Sequence, residues 1–212
     1  MGTIWSGTRQ RDAETLTRRA AQAASGFEKL GVGAGDGIAL YLRNDFPFFE
    51  GSIAAGMLGA YPVPVNWHYT ADEAAYLLND SGVKALVIHA DLLGPIQSVI
   101  PKNVAVLVVE TPPEICTAYG LSRDTAVTPS GAIAWDAWLE SHEPRTANAE
   151  AAPSTIIYTS GTTGRPKGVK RPTFTQAQQD AAARMLAWSY GFTEYLDPAS
   201  GHSPAEIVTA AV

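Results

Sequence analysis

Between residues 38 and 109 the sequence alternates short β-forming runs with helix-patterned stretches, and this alternation restricts the fold more than any other feature. Residues 38–42 form an apolar run after Gly35-Asp-Gly37 and read as a buried strand. Residues 61–65 are extended, because Pro62 and Pro64 forbid a helix and bias the residues before them to β. Residues 85–89 form a third strand. Residues 104–109 form a fourth, β-branched and of the kind covered on both faces. Helices are expected between them. One starts near Pro47 with Asn44 or Asp45 as cap and ends by Gly59. A second opens on the capping box Thr70-Ala-Asp-Glu73 and stops at Gly82. A short third follows Asp91. Strands separated by crossover helices imply an α/β fold, a layered parallel or mixed sheet with flanking helices. Such sheets bind ligands at the carboxyl ends of their strands.

Outside this region the signals thin. Residues 11–30 read as an amphipathic helix with Leu16, Ala20, Ala23, Phe27 and Leu30 on one face and Gly31 placed to cap it. Residues 110–153 lose periodicity except at 135–139, which suit one or two helical turns, and residues 147–153 resemble a linker. No internal repeat is present. Further on, Thr173-Phe-Thr-Gln176 reads as a second capping box. Ala177, Ala181, Met185, Trp188 and Phe192 would line the core-packing face of the helix it starts.

Residues 156–168 carry the chemistry. Three β-formers run into Thr159, Ser160, Gly161, Thr162, Thr163 and Gly164, and Arg165, Pro166, Lys167 and Gly168 close the loop. Glycines let backbone N–H groups converge on an anion, hydroxyls add neutral donors, and Lys167 adds a mobile positive charge. The chain has a formal net charge of -6, yet no Asp or Glu occurs between Glu150 and Asp180. Arg165, Lys167, Lys170 and Arg171 lie in that gap. A cationic island on an acidic chain suits a polyphosphate. The loop is not a Walker A loop, since Pro166 precedes Lys167 and Gly168 and Val169 follow it, so the magnesium-binding hydroxyl after the lysine is absent. It is not a dinucleotide turn, since two threonines separate Gly161 from Gly164.

The stretch Tyr158-Thr-Ser-Gly-Thr-Thr-Gly-Arg-Pro-Lys-Gly168 resembles the phosphate loop of the adenylate-forming (AMP-binding) enzymes, which include acyl-CoA synthetases, luciferases and peptide-synthetase adenylation domains. The match runs through the whole loop without a gap. Upstream, Gly56-Met-Leu-Gly-Ala-Tyr-Pro-Val-Pro-Val-Asn66 and Thr70-Ala-Asp-Glu-Ala-Ala-Tyr-Leu-Leu-Asn-Asp-Ser81 are similar to the family's helix–strand–helix stretch. Tyr190-Gly-Phe-Thr-Glu194 resembles a further family motif but follows the loop too soon, and Gly191 reads better as a helix C-cap.

The resemblance implies an acyl-CoA ligase. A carboxylate, by analogy a fatty or related apolar acid, attacks ATP to give an acyl adenylate and pyrophosphate, and coenzyme A then displaces AMP. Thr159, Ser160, Gly161, Thr162, Thr163, Gly164 and Lys167 are expected to hold the phosphates, with Mg2+ bridging them. The catalytic lysine and the ribose-binding aspartate of the family have no counterpart, so the catalytic residues are not identified. Residues 1–212 are expected to be a partial N-terminal domain without the small C-terminal domain, inactive alone. Two other readings stay open. One is a non-catalytic phosphate-binding or interaction module, the other a phosphotransferase or ATPase.

Composition narrows the rest. With 46% hydrophobic and 17% charged residues, the chain suits a globular protein with a real core. One cysteine, Cys116, excludes an internal disulfide framework and a cysteine-based zinc site, and it reads as an inert side chain in an irregular segment. No apolar run is long enough for a membrane span, no signal peptide is recognisable, and a cytoplasmic location is expected. An acidic chain argues against nucleic acid. The four histidines, His68, His89, His142 and His202, show no metal spacing and read as surface or strand-end residues. Asp72 and Glu73 are explained by helix capping, and Trp67 and Tyr69 by packing. The oligomeric state, a homodimer included, is left open.

Overall fold

The computed structural model describes residues 3–147, 155–159, 166–169 and 175–189. Five strands form one parallel sheet in the order β4-β3-β5-β6-β7. They are β3 (Gly37–Tyr41), β4 (Tyr61–Pro64), β5 (Val83–His89), β6 (Ala105–Val109) and the short β7 (Ile133–Ala134). The helices between them are α2 (Phe46–Met57), α3 (Ala71–Ser81) and α4 (Ala90–Ile96), then α5 (Pro113–Tyr119) and α6 (Arg123–Ala126). The chain reaches the sheet through β1 (Thr3–Ser6), β2 (Arg9–Asp12) and α1 (Ala13–Lys29), and leaves it through α7 (Trp135–Glu140). Each alternation signal thus becomes one crossover, as the parallel pairing requires.

Every residue of β3 is buried, because helices cover both faces. Ile38 and Leu40 face one side with Phe27 of α1, Val87, Leu107, Trp135 and Leu139. Ala39 and Tyr41 face the other with Leu77 and Leu78 of α3, Leu86, Ile88 and Val108. The two cores are the two sides of one pleat. The capping box of α3 is complete, with Glu73 N–H donating to Thr70 Oγ1 and Thr70 N–H donating to Glu73 Oε2. Gly82 closes the helix at φ 60, as expected.

Several expectations need correction. The helix expected over residues 11–30 starts only at Ala13, because Asp12 accepts from Thr15 N–H as N-cap. The residues before it form an antiparallel hairpin turning at Gly7, φ 61. The stretch after residue 110 holds two short helices that were not expected, α5 and α6, and the strand β7, while α7 agrees with the helical turns expected at 135–139. Cys116 is buried in α5, its Sγ near the Thr111 carbonyl. The second capping box is shifted: Thr175 and Gln178, rather than Thr173 and Gln176, exchange the cap bonds of α8 (Gln176–Ser189). The face of α8 read as core-packing is open, with Met185 and Trp188 exposed. Phe192 and residues 190–194 lie outside the described residues.

Candidate functional site

Two short strands flank, in sequence, the residues expected to hold phosphate. β8 (Ile157–Thr159) and β9 (Lys167–Val169) pair antiparallel, with Ile157 opposite Val169, Tyr158 opposite Gly168 and Thr159 opposite Lys167. The strand before the loop therefore belongs to a separate ribbon, not to the parallel sheet, and the expectation that it is a sheet strand is corrected. Instead the ribbon docks beside the edge strand β4. Ile156 N–H donates to the Pro62 carbonyl at 3.1 Å. β4 has that carbonyl free for the purpose because it pairs only with β3.

Of the residues expected to hold phosphate, Thr159 and Lys167 form the cross-strand pair at the mouth of the loop. Lys167 is exposed. Ser160, Gly161, Thr162, Thr163 and Gly164 lie outside the described residues. One side of the ribbon is held down. Tyr158 packs against the α3 side of the core and its hydroxyl donates to Asp80 Oδ2 at 2.7 Å. A Cβ on Gly168 would lie 2.7 Å from Tyr158 Cζ, so only glycine fits beneath the ring. The other side, with Ile157 and Val169, is exposed.

A second polar constellation lies where sheet theory places ligands, and the sequence reading did not find it. The order β4-β3-β5 means the chain reverses direction across β3, so the crevice lies past the ends of β3 and β5. Arg43 follows β3, His89 ends β5, Thr111 follows β6 and Asp45 caps α2. Arg43 Nη1 and Nη2 bind Asp91 Oδ1 and Oδ2 at 2.9 and 2.8 Å. Its guanidinium lies 4.8 Å from both the Trp67 and the Tyr119 ring centres. His89 Nδ1 accepts from Arg43 N–H, which leaves the proton on Nε2, 3.9 Å from Asp45 Oδ2. Arg9 pairs with Asp45 at 2.8 Å. Farther along, Glu50 is fully buried and joins Arg11, Arg19 and Trp135 Nε1.

These side chains fill the crevice and neutralise one another. Burial alone would raise the Asp45 carboxyl, but His89, the Phe46 N–H and Arg9 outweigh it and hold the group down to about 2. Burial opposes ionisation of Asp91 as well, and Arg43 with Thr111 prevails and lowers it. With both Arg43 arms bound to Asp91, the constellation ties helix ends to strand ends and offers no open charge to a ligand. His89 at a strand end and Trp67 in packing agree with the sequence reading. The isolated Arg43 and Asp45 carried no spacing signal, because their partners lie 36 to 48 residues away in the chain.

Among the described residues no group of three or more His, Cys, Asp or Glu side chains is arranged to hold a metal ion. No described helix is long and apolar enough to cross a membrane.

Comparison with known proteins joins these observations. The sequence model of the AMP-binding enzyme family matches residues 6–196. A fatty acid–[acyl-carrier-protein] ligase, ScoC of Streptomyces coeruleorubidus, is 31% identical over 160 residues, which is 74% of this chain and 27% of that protein. A 4-coumarate–CoA ligase of Arabidopsis thaliana is 31% identical over 150 residues, 70% of this chain and 24% of that protein. The chain thus spans about a quarter of the length of these relatives. The solved anthranilate CoA ligase AuaEII, in complex with anthranoyl-AMP, superposes with a TM-score of 0.70 at 21% identity, over 89% of this chain and 34% of that one. A benzoate CoA ligase of Burkholderia xenovorans LB400 gives 0.66 at 16%, over 88% and 32%. With the family model matched over residues 6–196, from the N-terminal hairpin past the β8–β9 ribbon, the chain belongs to the AMP-binding enzyme family.

Proposed function

We propose that the complete enzyme activates a carboxylic acid with ATP to an acyl adenylate and then transfers the acyl group to coenzyme A. The observation that carries this reading is the loop 159–167, uninterrupted in sequence and mounted on a ribbon whose mouth is the Thr159–Lys167 pair. As the bond to the α-phosphate breaks, charge grows on the leaving β- and γ-phosphates. The Lys167 ammonium, the hydroxyls of Thr159, Ser160, Thr162 and Thr163, and the backbone N–H groups of residues 161–164 would stabilise it. Mg2+ would arrive with the phosphates of ATP. A fatty or related apolar acid is the proposed substrate, supported by the fatty-acid ligase among the relatives. The same relative's name gives an acyl carrier protein as the thiol, and coenzyme A is proposed here on the names of the CoA ligases among the relatives. A cytoplasmic site of action goes with this chemistry.

The test is carboxylate-dependent pyrophosphate release by the complete enzyme against a panel of acids. Lys167→Ala and Gly164→Val are each expected to lower kcat/KM by about tenfold to a hundredfold with unchanged melting temperature. Unchanged acid-dependent release in both variants would remove the loop from the reaction. Formation of ADP instead of AMP would point to a phosphotransferase.

A second reading is favoured by one fact, that this chain spans about a quarter of its relatives' length. On that reading the 212 residues alone bind phosphate and turn over nothing. The purified 212-residue chain is accordingly expected to make no acyl adenylate, and adenylate detected by mass spectrometry would refute this.

A further inference from the structure

We propose that Asp80 is a positioning residue for the phosphate loop, acting through Tyr158; the inference rests on the assignment of that loop to phosphate binding.

Asp80 lies in the last turn of α3, 78 residues before Tyr158 in the chain and outside the loop motif. A carboxylate near a helix C-terminus opposes the helix dipole, so the stability of α3 does not account for it. Its Oδ2 accepts a 2.7 Å hydrogen bond from the Tyr158 hydroxyl, a bond strengthened by the charge on the acceptor. Burial, together with the neighbouring carboxylate, pushes the Tyr158 hydroxyl up, so the phenol stays a donor under all ordinary conditions. Tyr158 is the residue just before Thr159, and its cross-strand partner Gly168 is the residue just after Lys167. One ring therefore touches both arms of the ribbon one residue from the mouth of the loop.

Three constraints then act on the ribbon. The Ile156 N–H bond to Pro62 fixes where β8 begins. The Tyr158–Asp80 bond fixes how far β8 runs along α3. The ring on Gly168 fixes the height of β9, since a Cβ there would be forced away from Tyr158. The described arms of the ribbon, which end in the Thr159–Lys167 pair, take their position from these three anchors. Loss of the Asp80 contact would let Thr159 and Lys167 shift relative to α3 without unfolding either core, because Asp80 belongs to neither cluster.

The test is calorimetric binding of inorganic tripolyphosphate and of ATP to the 212-residue chain, with the melting temperature of each variant measured alongside. Lys167→Ala serves as the control for the loop itself. Asp80→Ala and Tyr158→Phe are each expected to weaken tripolyphosphate binding about fivefold to tenfold, as for loss of a hydrogen bond to a charged group. The double variant is expected to be no weaker than either single one, because both remove the same contact. Asp80→Asn keeps an acceptor oxygen and is expected to bind within about twofold of the unaltered chain. Melting should move little in all of them. If the chain binds tripolyphosphate and Lys167→Ala weakens it, while Asp80→Ala and Tyr158→Phe bind normally or add independently, the positioning role is overturned and the loop assignment stands. If the unaltered chain binds neither ligand, or Lys167→Ala binds as well as it does, both fall. A parallel loss of melting temperature and affinity that Asp80→Asn does not rescue would reduce Asp80 to a structural residue and also overturn the proposal.

Discussion

Gly26 shows how a single atom reverses a propensity. It is buried inside α1, where alanine is the better helix former by about 1 kcal/mol. A Cβ at this position, however, would overlap the ring of Trp138. That ring packs between Phe27, Trp135 and His142, at 5.2, 5.5 and 5.0 Å between centres, so it has little room to retreat. Overpacking a core costs about 1–3 kcal/mol, which exceeds the gain in propensity. Gly26→Ala is therefore expected to lower the urea midpoint, and combining it with Trp138→Leu should remove most of the penalty. The buried carboxylates make a second residue-level prediction. The Asp45 carboxyl is lowered from 3.8 to about 2 in the folded protein. A depressed carboxylate stabilises the fold at pH values above its unfolded pKa, and that contribution fades as pH falls through the folded one. From Asp45 it amounts to about 2 kcal/mol, present above about pH 4 and lost towards pH 2. Asp91 is shifted the same way. Urea unfolding at pH 5, 3 and 2 should show this decline, and Asp45→Asn should flatten it while lowering stability at pH 5.

At the level of elements, α3 is the helix whose ends are written most plainly in the chain. Its capping box satisfies two backbone groups reciprocally, and Thr70→Ala removes one of those bonds outright. About 1 kcal/mol of stability should go with it, measurable as a drop in melting temperature of a few degrees. Because Asp80 sits at the far end of the same helix, the loss should not propagate to phosphate binding. The alternation of strands and helices between Gly37 and Val109 was legible for the same kind of reason, since each element there is decided by local pattern, by caps, prolines and glycines. The hairpin β1–β2 was not. Its strands are short and β2 is wholly polar, and what holds the hairpin is remote, with the Arg9 and Arg11 guanidiniums over the Phe46 ring at 5.1 and 4.6 Å and Arg11 on Glu50. Of the short helices after Val109, α7 was legible at 135–139, while α5 and α6 escaped for want of turns enough to show a period. The strand before the loop was legible as a strand, but its partner was not. A β-forming run before a glycine loop looks the same whether its partner is a parallel sheet or its own return strand, and only the pairing of Tyr158 with Gly168 distinguishes them. The Arg43–Asp91 and Glu50 networks were invisible because no residue of either lies near its partners in sequence.

For the molecule as a whole, the question is which surfaces are left uncovered. Sheet edges are the usual hazard, and half a sheet would be expected to expose one. Here both edges are blunt. β4 carries Pro62 and Pro64, which have no N–H to offer, and the ribbon's Ile156 already takes the Pro62 carbonyl. At the other edge β7 is only two residues long. Exposed apolar side chains include Ile133 on β7 itself at 43% and Trp5 on the hairpin at 64%, and others stand in pairs on the ribbon and α8. On the outer side of the ribbon, Ile157 and Val169 face each other across the strands at 56% and 46% exposure. On α8, Met185 and Trp188 stand at 66% and 74%. Residues of that size in such exposure cost free energy in water and favour association. The 212-residue chain is thus expected to self-associate as its concentration rises, through these side chains and not through strand addition. Sedimentation velocity across a concentration series checks it. Ile157→Lys together with Trp188→Glu should hold the chain as a monomer, whereas Ile133→Lys, which places a charge on the β7 edge, should leave association unchanged. The reverse pattern would mean that the sheet edge governs association despite its short strand and prolines.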